Sequence, residues 1–199
     1  MERHVLSETY YYQTSVSRDA RAHLKQQRPS AIWMTGLSGA GKSTIANALE
    51  VALAAQHKHT YLLDGDNIRS GLCRDLGFSD QAREENIRRV AEVAKLFVDS
   101  GLIVITAFIS PFLQNRAAAR QIIGDRDFIE VFIDTPLEEC ERRDPKGLYN
   151  KARNGQLKSF TGIDSDYQPP LNPDIRICTV EESVEDAVRR IMDFLTARA

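Results

Sequence analysis

The segment Gly36-Leu37-Ser38-Gly39-Ala40-Gly41-Lys42-Ser43-Thr44 restricts this chain more than any other feature. It matches G-x-x-x-x-G-K-[ST] at every fixed position. It lies between a strand-like run at residues 31–35 and a helical stretch at 43–55. The glycines let the backbone curl with its N–H groups turned inward, where they hold a phosphate. The helix that follows adds the positive end of its dipole. Lys42 is placed to reach β- and γ-phosphates, and Ser43 to ligate Mg²⁺. A Mg-nucleotide site is expected; the motif alone leaves the reaction open.

The surrounding pattern predicts an α/β fold. Short apolar runs at residues 31–35, 60–63, 102–108, 128–133 and 175–179 have the length and bounding residues of buried parallel strands. Between them lie helical stretches, the clearest at 84–100. There Ile87, Val90, Ala91, Ala94, Phe97 and Val98 recur at helical spacing before Gly101. Strands alternating with helices make right-handed βαβ units, and such sheets bind ligands beyond the carboxyl ends of their strands. Residues 1–28, with Tyr10, Tyr11 and Tyr12 in a row, read as an N-terminal arm on the domain or on a partner subunit; residues 18–27 suit a short helix. Residues 29–199 form the domain. Residues 144–170 carry several prolines and glycines, four cations, Phe160 and Tyr167 with no apolar period. A connection of that length reads as a mobile lid.

Composition removes several classes. Lys plus Arg total 26 against 28 Asp plus Glu, a net charge of −2, which argues against a nucleic-acid polymer or an anionic membrane as partner. The three cysteines, Cys73, Cys140 and Cys178, are isolated, so zinc and a disulfide framework are not expected and a reducing compartment is. No apolar run approaches the length of a membrane span, and Met1 to His4 lead into no signal core. The expected location is the cytoplasm.

The residues after each strand carry the chemistry. Asp64-Gly65-Asp66-Asn67 follows the second strand, beside the expected γ-phosphate. Asp66 is the candidate base or hydroxyl-orienting group, as transfer to an alcohol requires, and Asp64 a structural or metal-proximal residue. Arg69, Arg83, Asn86, Arg88 and Arg89 follow, with Phe78 in a turn-like setting and Phe160 in the lid. Arginines read phosphate and sulfate groups, and aromatics stack bases, so the acceptor is expected to be an anionic nucleotide. Core phenylalanines and solvated arginines are the plainer alternative. Ser110-Pro111 after the third strand reads first as a turn or helix cap. Lys146 is a candidate for stabilising charge on the transferred group, with Arg143 nearer the ATP base or phosphates.

Taken together, these segments resemble the adenylyl-sulfate kinase family. The resemblance runs over about residues 30–180. It rests on the phosphate loop, Asp64-Gly65-Asp66-Asn67-Ile68-Arg69, Leu76-Gly77-Phe78-Ser79, Glu85-Asn86-Ile87-Arg88-Arg89, Phe108-Ile109-Ser110-Pro111, Asp144-Pro145-Lys146-Gly147-Leu148-Tyr149 and Phe160-Thr161-Gly162-Ile163-Asp164. It implies a P-loop NTPase-type parallel sheet of order 2-3-1-4-5, flanked by helices and carrying a lid. It also implies transfer of the γ-phosphate of MgATP to the 3′-hydroxyl of adenosine 5′-phosphosulfate (APS), giving PAPS and ADP in sulfate assimilation. Phe78 and Phe160 match the pair that sandwiches the substrate adenine, and Arg69, Arg83 and Asn86 match substrate contacts. Asp64, Ile109, Ser110 and Leu148 fall in matching substrate-side segments. Asp66 maps to the catalytic carboxylate and Lys146 to a lid lysine. Ser110 matches a serine that family descriptions label a phosphoserine intermediate, although in-line transfer needs only positioning and electrostatics. The family is usually dimeric. Gln168 stands where many relatives carry an acidic residue.

Two other classes compete. Another small-molecule P-loop kinase would leave the paired phenylalanines and Asp66 without a role. A nucleotide-dependent switch would need a guanine-reading motif, and Asn150-Lys151-Ala152-Arg153 lacks its final aspartate.

Overall fold

Ser30–Thr35 forms a strand buried at every position, which only a sheet covered on both faces permits. The computed structural model describes Tyr10, Tyr12 and residues 14–198. The elements run α1 (Arg18–Leu24), β1 (Ser30–Thr35), α2 (Lys42–Ala55), β2 (Thr60–Asp64), α3 (Gly65–Ser70), α4 (Asp80–Asp99) and β3 (Ile103–Ala107). They continue with α5 (Leu113–Ile123), β4 (Phe128–Asp134), α6 (Leu137–Arg143), α7 (Leu148–Arg153), β5 (Ile175–Cys178) and α8 (Val184–Ala197). The sheet is parallel, with order β2-β3-β1-β4-β5, as expected.

Alternation along β1 divides the core. Ile32 and Met34 face α2 and α8 with Leu49, Leu53 and Ile191, whereas Ala31 and Trp33 face α4 and α5 with Val90, Ala94 and Ala119. In register, Ile32 lies between Ile105 on β3 and Ile129 on β4, so one apolar row crosses three strands. Truncating such a side chain to alanine costs about 2–5 kcal/mol.

Serines set three helix starts. The hydroxyls of Ser17, Ser79 and Ser183 accept from the N–H groups of Ala20, Ala82 and Asp186. Each such cap contributes about 1 kcal/mol. The Ser79 cap explains why α4 begins at Asp80, four residues before its apolar face becomes regular. Helix α1 of the N-terminal arm lies on the domain, whereas Tyr10 and Tyr12 are exposed. Arg18 pairs with buried Asp127 at 2.7 Å, Arg21 pairs with Asp99, and a Cβ at Gly101 would meet the Arg21 carbonyl oxygen at 2.9 Å. Residues 1–9, 11 and 13 of that arm lie outside the described residues.

Within Asp64-Gly65-Asp66-Asn67, Asp64 ends β2 and caps α3, accepting the Asp66 N–H. Two local expectations change. Residues 144–170 are not wholly irregular, for they hold α7. Gly147 at φ 65° turns the chain into it, and Asp144 accepts the Tyr149 and Asn150 N–H groups. Ser110 caps no helix; α5 starts after Phe112, two residues further on.

Candidate active site

The phosphate loop leaves the carboxyl end of β1 at the centre of the sheet and enters α2. Gly36 approaches β4 so closely that a Cβ would collide with the Ile133 carbonyl oxygen. Gly39 and Gly41, at φ 75° and 106°, complete the curl. Lys42 is buried, and its ammonium donates to the carbonyl oxygens of Gly36 at 2.9 Å and Leu37 at 2.7 Å. Burial pulls its pKa down to about 8. Ser43 and Thr44 are exposed on the first turn of α2. The Ser43 hydroxyl donates to Asp64 Oδ2 at 2.7 Å, while Asp64 Oδ1 accepts the Asp66 N–H at 3.0 Å. One hydroxyl and one carboxylate, both open to solvent, are hard oxygen ligands of the kind Mg²⁺ takes while keeping several waters.

On the β4 side, the Ala40 carbonyl accepts from Thr135 Oγ1 at 3.0 Å, and Thr135 bonds Thr179 at 2.6 Å. Arg143 closes this group. It donates to Thr179 Oγ1 at 2.9 Å and to Glu139 at 2.7 Å, and its Nη1 is 3.4 Å from the Ala40 carbonyl. The two arginines Arg142 and Arg143 hold the Glu139 carboxyl down at about 2. Arg143 therefore sits against the phosphate loop.

On the β2 side, Lys146 reaches back to form an ion pair with Asp66. This contact ties the first residue pair after β2 to the start of the 144–170 segment. Beyond it, Arg69 donates to the Gly77 carbonyl at 3.0 Å and covers the ring of Phe78 at 4.6 Å. Phe78 is 59% exposed, whereas Phe160 is 8% exposed, so only Phe78 offers an open face. Phe160 packs edge-on against Tyr149 at 4.9 Å.

Buried Arg83 joins the two loops that carry these rings. Its Nε donates to the Phe78 carbonyl at 2.9 Å, its Nη1 to Thr161 Oγ1 at 2.5 Å and its Nη2 to the Ser159 carbonyl. Asp164 fixes the second loop by accepting the Ser159 and Phe160 N–H groups, which holds its carboxyl below the usual range. Asn86, one turn along α4 from Arg83, is buried with its Oδ1 unpartnered among the described residues. Leu148 packs half-buried against the core beneath this loop.

Ser110 is 2% exposed, at φ 38°. Its Oγ accepts from Trp33 Nε1 at 3.1 Å. The Ile109 carbonyl accepts from Thr35 Oγ1 at 2.7 Å, and Thr35 in turn bonds the Tyr167 hydroxyl at 3.0 Å. Buried Arg116 donates to the Ser110 carbonyl at 2.7 Å, the Gln168 carbonyl at 2.6 Å and Glu130 at 2.8 Å. Gln168 also accepts the Leu113 N–H at 2.9 Å, capping α5 from the far end of the 144–170 segment. Sequence reading missed Tyr149, Thr161, Arg116 and Tyr167. Tyr149 and Thr161 left a signal, inside Asp-Pro-Lys-Gly-Leu-Tyr and Phe-Thr-Gly-Ile-Asp.

Comparison with known proteins agrees with this arrangement. The family model described as adenylylsulphate kinase matches residues 28–178. The adenylyl-sulfate kinase of Pseudomonas aeruginosa is 61% identical over 181 residues, covering 91% of this chain and 92% of its own. That of Aeromonas salmonicida is 57% identical over 190 residues, covering 96% and 97%. Among solved structures, the APS kinase of Mycobacterium tuberculosis in complex with AMPPNP and APS is 49% identical. It superposes with a TM-score of 0.83, covering 85% of this chain and 99% of that one. On the family match and on identities far above what fold similarity alone needs, this chain belongs to the adenylylsulphate kinase family.

Proposed function

We propose that this ATP-dependent kinase transfers the γ-phosphate of MgATP to the 3′-hydroxyl of APS, giving PAPS and ADP. The single observation that carries this reading is the Asp66–Lys146 pair, set between the phosphate loop and the Arg69–Phe78–Arg83–Phe160 group. Donor and acceptor sites then meet at a carboxylate and a cation.

The phosphate loop and Lys42 bind the nucleotide's phosphates, and Arg143 supports the loop from its β4 side. Mg²⁺, when bound at Ser43 and Asp64, offsets charge on the β- and γ-phosphates. Phe78 gives the acceptor's adenine a face, Arg69 supplies donors for its anionic groups, and Asn86 Oδ1 is an acceptor for its polar ones. Arg83 holds the two ring-bearing loops at fixed separation. The acceptor oxygen bonds to the γ-phosphorus as the bond from that phosphorus to the bridging β–γ oxygen breaks. Asp66 takes the hydroxyl proton, and ADP leaves with the bridging oxygen. Lys146, released from Asp66, offsets charge on the phosphoryl group in flight. Ser110, occupied by Trp33 and held left-handed, positions the loop and needs no phosphorylation.

The working assembly we propose is a homodimer. Tyr61 on the edge strand β2 packs at 5.0 Å on Phe97 of α4, and Tyr61, Leu72 and Leu96 are exposed, apolar surface suited to self-association. The Thiobacillus denitrificans APS kinase among the structural neighbours is described as hexameric. Among the described residues no helix is long and apolar enough to cross a membrane, and the reaction proposed takes place in the cytoplasm.

The test is ADP release against APS, AMP and gluconate, with chromatographic identification of the product. Turnover with APS yielding PAPS is the expected result. Turnover with AMP or gluconate and none with APS overturns the proposal.

A further inference from the structure

The distribution of ion pairs separates the arginines into two groups. Most described arginines lie within pairing distance of a carboxylate. The described ones that do not are Arg28, Arg69, Arg74, Arg83, Arg126 and Arg198. Arg69 belongs to the acceptor site, where an anion is expected to complete it, and Arg83 is bonded through all three guanidinium nitrogens to the two ring-bearing loops. Arg28, Arg126 and Arg198 line one cavity together with Lys58.

This cavity, of about 460 Å³, lies at the opposite end of the sheet from the phosphate loop. Ser30 and Ile103, the first residues of β1 and β3, and Ile129, near the start of β4, form part of its wall. Leu53 of α2 and Leu195 of α8 add apolar surface. No aspartate or glutamate is among its described lining residues. Asp127, next in sequence to Arg126, is already paired with Arg18.

Three of the four cations are held by backbone oxygens. Arg28 donates to the Arg198 carbonyl, Arg198 to the Arg126 carbonyl at 2.8 Å and Lys58 to the Gln26 carbonyl at 3.1 Å. Carbonyls orient these groups without neutralising them, and each guanidinium keeps further N–H donors. Four like charges around one apolar-walled cavity repel one another, and a bound anion relieves that cost. A second observation points the same way. Ser30 is 6% exposed, and its Oγ has no hydrogen-bond partner among the described residues. A buried hydroxyl left unbonded is costly, and a ligand oxygen would satisfy it.

We propose that this cavity is a second binding site, for a small organic anion that joins a phosphate or sulfate group to an apolar body. The charged group meets Arg28, Lys58, Arg126 and Arg198, and the body lies against Leu53, Ile129 and Leu195. The site stands apart from the reaction proposed above.

Calorimetry on the full chain tests it, with MgADP saturating the phosphate loop and phenyl phosphate, phenyl sulfate and methyl phosphate as probes. Phenyl phosphate or phenyl sulfate should bind saturably and more tightly than methyl phosphate; whichever binds better names the headgroup. The double variant Lys58→Ala/Arg126→Ala should weaken binding by about tenfold or more, the worth of one charge-assisted bond. Neither side chain takes part in the proposed reaction, so turnover with ATP and APS should be unchanged. Ser30→Ala should also weaken binding while leaving Tm at or above that of the parent. Absence of saturable binding by either phenyl compound overturns the proposal. So does equal affinity in parent and double variant, which would place the probe in the acceptor site.

Discussion

The Tyr149 hydroxyl donates to the Ser38 carbonyl oxygen at 2.9 Å while its ring meets Phe160 edge-on at 4.9 Å. One side chain therefore touches both the loop that holds ATP and the loop that carries an acceptor aromatic. Burial pushes its phenol pKa up, so it stays a neutral donor across the working range. Tyr149→Phe keeps the ring contact and removes the link to Ser38. The expected results are a stability loss of about 1 kcal/mol and a weaker influence of bound nucleotide on APS affinity. Titrating APS with and without AMPPNP in both proteins measures this. An unchanged ratio of the two dissociation constants would separate Tyr149 from communication between the sites.

Asp66 sits at the start of α3 facing Lys146. Asp66→Ala should lower kcat by about 10²–10⁴-fold, the usual contribution of a positioned base. The KM for ATP should move little, since Lys42 and the phosphate loop are untouched. Steady-state kinetics decide the matter, and near-normal turnover removes Asp66 from the mechanism.

Ser110→Ala leaves the Trp33 indole N–H without its acceptor. That should cost about 1–3 kcal/mol of stability and leave most of the activity. Complete loss of turnover in a protein that still folds would instead favour a phosphoserine intermediate. Denaturant unfolding alongside the assay separates the two.

The two phenylalanines should respond differently. Phe78, 59% exposed, has its ring covered on one side only by Arg69. Phe78→Ala should raise the KM for APS and leave Tm nearly unchanged. Phe160 belongs to the core cluster, so Phe160→Ala should raise the same KM and also cost about 3–5 kcal/mol. Equal effects on the KM for ATP and for APS would argue against stacking.

Lys42 makes nucleotide binding proton-linked. Its folded pKa of about 8 lies below the ordinary 10.5 because burial penalises the ammonium. That penalty is fully present below pH 8 and is relieved as pH climbs from about 8 towards 10.5, so this residue makes the free protein more stable across that window. Phosphates placed beside it favour the charged form. MgATP binding at pH 8 should take up about half a proton, since roughly half the lysine is neutral there. Calorimetry in buffers of different ionisation enthalpy reads this directly. No buffer dependence, or the same dependence in Lys42→Met, would rule it out.

The phosphate loop and the parallel α/β architecture were legible because both depend on local signals: spaced glycines, and short apolar runs separated by helices; the strand order came only with the family resemblance. Local signals also singled out Asp66 and Lys146, each within three residues of the end of a strand or helix, and Arg143 in the last turn of α6. What escaped were contacts between distant segments. Nothing near Arg116 reveals that it holds the carbonyls of Ser110 and Gln168, 52 residues from the second. The polar opening of α4 hid its true start, because Ser79 caps a turn whose face is not yet apolar. The brief α7 depends on Asp144, whose carboxylate acts as a cap only once Gly147 has turned the chain.

Trp33 is the chain's sole tryptophan, fully buried and bonded to Ser110. The molecule thus carries one indole fluorophore, wired to the loop beside its catalytic cleft. Indole emission shifts when its N–H partner changes. A rearrangement of that loop during turnover that alters this bond can therefore be followed in stopped flow, with no dye attached and no second indole in the chain.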